Sequence, residues 1–188
     1  MKKLDDQLQA AISRMPVAEK DKLLLRLVAK DEKLVRRLVF ELLEGSETTD
    51  SRASELRNSI SDYLTKAATD YQTPGYLLLD LRHWSGRITE HVDATKDKPG
   101  DVILNFFMLA TAFRTHRDML LKFPPRRSDT LAPYVVRKVT SLLKKAEKLH
   151  EDYFMDFRKD AQDTLDFIWE FKPMADLAQA ANLPKNMS

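Results

Sequence analysis

Apolar residues recur at intervals of three and four along nearly the whole chain, which is the spacing of one face of an α-helix. Only four of the 188 residues are glycine, so few positions favour a turn by themselves. No stretch alternates apolar and polar residues as a half-buried strand would. The sequence therefore predicts an all-α fold of about seven to nine helices.

Capping residues, prolines and glycines divide this pattern into separate helices. Asp31 is expected to cap the third helix, which stops at Gly45. Thr73 is expected to cap a helix over 74–95 that has a proline in its first turn. After that helix, KDKPG is expected to turn the chain before Asp101 caps the next one.

Residues 130–171 hold no glycine, and no proline after Pro133. One long helix and two helices broken near 150–156 both fit, and we expect two, because helices above about 25 residues are uncommon in compact domains. The connections are short, which favours a single domain over 1–188, built as a compact multi-helix bundle or an irregular helix-hairpin stack. Residues 1–48 are a candidate N-terminal helical subdomain.

The stretch LLRLVAKDEKLVRRLVFELLEG resembles one helix pair of the HEAT and armadillo repeats, over about residues 17–45. The matching residues are Asp31 at the turn, then Val35 and Arg36, then Leu42 and Leu43. Such repeats form binding scaffolds, so the resemblance implies protein recognition. No second copy follows at a period of about 40 residues, which favours a bundle over a solenoid.

The composition restricts the kind of site that the chain can hold. It has no cysteine, which excludes disulfides and zinc–thiolate sites and is compatible with a reducing compartment. Polar residues interrupt the N-terminal segment MKKLDDQLQAAISRM where a signal peptide would be apolar, and no apolar run reaches the ~18 residues of a membrane span. We therefore expect a cytoplasmic protein without membrane contact, cofactor or metal.

The main candidate for a ligand site is a row of polar side chains on the helix over 74–95. On a helical projection Asp80, Arg87 and His91 flank the apolar stripe, and His83 lies farther round. Arg87 would suit a phosphate or carboxylate, with His91 as acid or base. The alternative, which we expect, is an ordinary charged helix edge. An inward pocket that touches Arg87 and His91 would favour a ligand.

Two other residues of this helix are expected to pack closely. Trp84 shares the apolar stripe with Leu81 and Ile88, so its ring should be buried. Gly86 costs ~1 kcal/mol relative to alanine within a helix, which predicts a neighbouring helix lying against it.

Two carboxylate–histidine pairs have the i, i+3 spacing found in di-iron bundles: Asp80 with His83, and Glu147 with His150. On the projection His150 points into an apolar face, whereas His83 points away from its own. The pairs do not converge, and no metal site is predicted.

Charge is segregated in the C-terminal half of the chain. Residues 114–148 hold ten basic and three acidic residues, and residues 151–176 hold eight acidic and three basic ones. The predicted basic face consists of Arg137, Lys138, Lys144, Lys145 and Lys148. Such a face can hold phosphates, but the acidic stripe after it would repel a long polyanion, so we expect no useful affinity for duplex DNA.

Catalytic motifs are missing from the sequence: it has neither P-loop spacing nor a G-x-S-x-G elbow. The leading interpretation is a non-enzymatic interaction or scaffold protein with protein partners. The first alternative is a small-ligand or enzymatic site along 80–91, and the second is nucleic-acid binding through 114–148.

Overall fold

The computed structural model describes residues 4–69 and 73–187. Nine α-helices and no strand lie within these ranges, which confirms the all-α prediction. The helices are α1 Asp6–Arg14, α2 Val17–Val28, α3 Glu32–Val39, α4 Thr49–Ala67, α5 Pro74–Thr95, α6 Lys98–Lys122, α7 Leu131–Ala146, α8 Phe154–Glu170 and α9 Lys172–Ala180. A π-helical turn, Phe40–Glu44, extends α3, and a short 3-10 turn precedes each of α4, α7 and α8.

Local capping sets two of the helix starts as predicted. Asp31 accepts hydrogen bonds at Oδ1 from the backbone N–H groups of Lys33 and Leu34, at 3.0 and 3.1 Å. Thr73 Oγ1 accepts one from the N–H of Tyr76 at 3.3 Å, and α5 begins at Pro74. These bonds satisfy donors that the first turn of a helix leaves unpaired.

The predicted start of α6 is wrong by about one turn. Asp97, rather than Asp101, is the cap, since its Oδ1 accepts a hydrogen bond from the N–H of Gly100 at 2.8 Å. Pro99 fits the first turn because that position needs no N–H donor. The chain therefore turns at Lys96 and Asp97, and the last three residues of KDKPG already belong to the first turn of α6.

The segment from Thr130 to Phe171 forms two helices, as predicted. α7 ends at Ala146 and α8 begins at Phe154, with a 3-10 turn over Glu151–Tyr153 between them. Both helices pack against the central helix α6.

Helix α6 lies at the centre of the bundle and packs against α4, α5, α7 and α8. All ten residues of 104–113 are buried, as expected for a helix that is apolar on every side. Helix α9 closes one end against α7 and α8. The core thus runs along α6 and is shared by the helices from α4 onward.

The N-terminal helices contribute little to this core. Within 4–45 Phe40 is the single buried residue, and α3 rests on α5. Neither α1 nor α2 has a buried side chain. Among the described residues, no helix combines the length and apolarity that crossing a membrane requires.

Candidate functional site

An open groove of about 820 Å³ lies between α3 with its π-helical turn, α4 and α5. Arg87 and His91 both line it, as does Trp84. Asp80 and His83 do not. The helix over 74–95 therefore brings two of the four predicted ligand residues to one concave surface.

The four predicted ligand residues have different partners. Asp80 accepts a hydrogen bond from the hydroxyl of Tyr63 at 2.8 Å, which raises the pKa of that tyrosine. His83 is exposed and meets the edge of the Trp84 ring, with 5.3 Å between ring centroids. Neither side chain reaches the groove: Asp80 is half-buried and His83 is exposed.

The other two residues of the row lie on the groove itself. Arg87 pairs with Glu90 on its own helix, at 3.1 Å. His91 is buried, and its Nε2 lies 3.4 Å from Asp97 Oδ2. The hydrogen bond with His91 lowers the pKa of Asp97, assisted by the Gly100 N–H and opposed by burial. His91 thus supports the carboxylate that caps α6.

The groove carries both signs of charge. Arg52 pairs with Glu44 across it, and Arg36 reaches Glu32 at 3.6 Å on α3. With Arg87 these make three guanidinium groups, each already beside a carboxylate. An anionic ligand would have to compete with those glutamates.

Trp84 and Gly86 test the packing predictions for α5. Trp84 is 9% exposed and packs edge-on against Tyr63, with ring centroids 5.6 Å apart, so its predicted burial is confirmed. The prediction for Gly86 is wrong: the residue is exposed, and a Cβ built on it would meet no atom within 4 Å. No neighbouring helix explains this glycine.

The predicted basic face is divided by the packing of α7. Lys138 turns inward and donates a hydrogen bond to Ser85 Oγ on α5 at 2.6 Å, so it leaves that face. Lys145 pairs with Asp101 on α6 at 2.5 Å. Four of the five stay exposed: Arg137, Lys144, Lys145 and Lys148. Arg137 also donates to the carbonyl of Pro133.

Opposite charges of the C-terminal half meet between α6 and α8. Arg117 forms a two-pronged ion pair with Glu170. Beside it, Arg114 faces Asp163 and Asp166 across a groove of about 260 Å³. Part of the acidic stripe is therefore neutralised within the chain.

Each carboxylate–histidine pair has a member that is engaged by another side chain. Asp80 is engaged by Tyr63, and His150 is exposed, with Nδ1 3.1 Å from Asp152. The projection of His150 into an apolar face is wrong, because α7 ends at Ala146 before reaching it. In 4–69 and 73–187 no three His, Asp or Glu side chains are grouped as metal ligands would be.

His116 is a buried group that the sequence reasoning missed. It is 2% exposed on α6, and its Nε2 has no hydrogen-bond partner among the described residues. Burial lowers the pKa of its imidazole, against the opposing effects of the Asp80 charge and the Leu64 carbonyl. Its place in the apolar series Leu109, Phe113, His116, Leu120 was the available signal.

Comparison with known proteins finds no match for this chain. No family model matches the chain, and no curated protein or solved structure matches it either.

Proposed function

We propose that this protein is a non-enzymatic interaction protein of the cytoplasm that binds protein partners through α1 and α2. The exposure of large apolar side chains on these helices and just before α1 carries the proposal. The exposed residues form what we call the N-terminal apolar surface: Leu4, Leu8, Val17, Leu24, Leu25 and Leu27. Large exposed apolar patches mark interaction sites, and six large exposed apolar side chains lie within 4–27.

The lengths of these helices also favour a partner. α1 has nine residues and α2 has twelve. Isolated helices shorter than ~12–15 residues are marginal in water, and neither gains a buried side chain from the bundle. Fully burying one leucine stabilises by ~1.5–3 kcal/mol, so covering Leu24, Leu25 and Leu27, which are 58%, 68% and 54% exposed, would contribute about 3–5 kcal/mol before the costs of association.

The charges around the N-terminal apolar surface favour protein over nucleic acid or lipid. Within 4–30 the acidic residues are Asp5, Asp6, Glu19 and Asp21, and the basic ones are Arg14, Lys20, Lys22, Arg26 and Lys30. Because neither sign dominates, phosphate backbones and anionic headgroups gain little attraction. An amphipathic helix of a partner, with an apolar face and a rim of mixed charge, is the matching surface. The lack of cysteine is compatible with the cytoplasm.

Site-specific photo-crosslinking in the producing cell tests this function. A photoreactive residue replaces Leu25, which is 68% exposed, or, as the matched control, Met155 on α8, which is 71% exposed. We expect discrete protein adducts from position 25 alone, and we expect Leu24→Glu to abolish them while leaving the helix content unchanged. Identical adducts from both positions, or adducts with lipid only, would contradict the proposal.

The groove beside α5 favours a second function, the binding of a small anionic ligand. This candidate is supported by the shared groove of Arg87 and His91, together with Arg36 and Arg52. Trp84 lines the groove, and Trp169 is the other tryptophan of the chain, so Trp169→Phe isolates the fluorescence of Trp84.

The test is a titration of the Trp169→Phe variant with inorganic phosphate or citrate, followed by the fluorescence of Trp84. A saturable change that Arg87→Ala abolishes would support a ligand site. A linear response that survives Arg87→Ala would exclude one for these anions. Arg158→Ala, at an exposed position on α8, controls for the loss of one positive charge.

A further inference from the structure

A half-buried polar cluster lies where α5, α6 and α7 meet, away from the N-terminal apolar surface and the groove. Lys138 on α7 donates from Nζ to Ser85 Oγ on α5 at 2.6 Å. Tyr134, one turn earlier on α7, donates to the Leu81 carbonyl at 3.4 Å. Lys138, Ser85 and Tyr134 are each partly exposed, so solvent reaches the cluster.

The ammonium group of Lys138 lacks a direct counter-ion. Among the described residues no carboxylate oxygen lies within 4.0 Å of its Nζ. Asp101 on α6 is the acidic group whose charge acts on it, but Asp101 is held by Lys145 at 2.5 Å and by Asn105 Nδ2 at 2.9 Å. Lys138 is therefore paired with a neutral hydroxyl instead of an anion.

Burial lowers the pKa of Lys138 below its usual range. The charge of Asp101 opposes this effect, and the positive charge of Lys145 adds to it. Two side chains of α5 lie near the cluster. Ser85 is neutral, and Arg82 lies over the Tyr134 ring, with its Cζ 5.7 Å from the ring centroid. At a given pH, Lys138 has a larger neutral fraction than an exposed lysine.

We propose that Lys138 is a nucleophilic lysine that takes acyl groups from thioesters. The neutral Nζ attacks the thioester carbonyl carbon, a C–N bond forms, and the C–S bond breaks as the thiolate leaves. The proton lost by nitrogen passes to that thiolate, and the Ser85 hydroxyl is the group to which Nζ is hydrogen-bonded before the reaction. The products are an amide at Lys138, without its positive charge, and a free thiol.

Site-resolved acetylation of the full chain tests the proposal. The folded protein is treated with the acetyl thioester of N-acetylcysteamine over a range of pH, and mass spectrometry follows each lysine. Lys144 is the matched control, since it is exposed on the same helix. We expect Lys138 to react several-fold faster than Lys144 near neutral pH, with its rate levelling off at a lower pH.

A second variant separates reactivity from access. Asp101→Asn removes the charge that stabilises the ammonium, so acetylation of Lys138 should become faster while that of Lys144 stays the same. Circular dichroism confirms that the variant is folded. Acetylation of Lys138 no faster than that of Lys144, or only after unfolding in urea, would overturn the proposal.

Discussion

Replacement of Gly86 by alanine is expected to stabilise the protein. The residue lies in the interior of α5, is exposed, and has no atom within 4 Å of the position that a Cβ would take. The added methyl group therefore meets no steric conflict and buries little surface. What remains is the difference in helix propensity, which favours alanine by about 0.8–1 kcal/mol.

That magnitude can be measured by thermal unfolding followed by far-UV circular dichroism. For a chain of 150–250 residues, 1 kcal/mol corresponds to a rise in Tm of about 2–4 °C. Gly45→Ala is the contrasting control. Gly45 has φ of +83° and ψ of +161°, a region almost restricted to glycine, so alanine there should lose about 1–3 kcal/mol. A Gly86→Ala variant that melts earlier than the wild type would refute the reasoning and indicate that something lies against this face.

Three further changes probe the core and its polar groups. Trp84→Ala should lower the free energy of unfolding in urea by about 3–5 kcal/mol, because a buried ring is lost. Asp97→Ala should cost about 1–2 kcal/mol by removing the α6 cap. Because the folded state lowers the pKa of Asp97, that difference should shrink only once the pH falls below the ordinary carboxyl value of 3.8. Burial lowers the pKa of His116 from 6.5, so the unfolded chain takes up the proton first, and stability should fall as the pH drops below 6.5. His116→Gln should flatten that dependence in urea titrations at several pH values.

The helices were predictable because their signals are local. Asp31 and Thr73 each bond to a backbone N–H three residues along the chain, so the sequence alone contains both partners of the cap. Residues 104–113 are mainly apolar on every side of the helix, and this pattern likewise indicates a helix that is buried on all sides. Caps and apolar patterns of this kind depend on residues that are close in sequence, so they do not depend on how the helices pack.

The start of α6 was not predictable in this way. Asp97 and Asp101 are both good capping residues, and Pro99 is compatible with either as the cap. In the folded protein His91 supports the Asp97 carboxylate from α5, while Lys145 from α7 engages Asp101. The choice between the two aspartates is thus made by contacts with other helices.

The same limit applies to the polar side chains of α5 and α7. A helical projection assigns Lys138 and Lys144 to one basic face, because it measures angles about a single helix axis. It does not show that α5 covers the side where Lys138 emerges and leaves Lys144 in solvent. Gly86 illustrates the converse: its low helix propensity suggested a close neighbour, and solvent lies there instead.

The N-terminal helices α1 and α2 show the same limit of sequence-based prediction. Periodicity predicts apolar faces on α1 and α2, yet it contains no information on whether a covering surface belongs to the same chain. Within this chain Leu24 and Leu25 remain 58% and 68% exposed, although the bundle from α4 onward has a well-buried core. Burial of these two leucine side chains would stabilise the folded protein by several kcal/mol. We propose that a partner helix supplies this burial, and for this reason we favour the N-terminal apolar surface over the charged groove as the site of function.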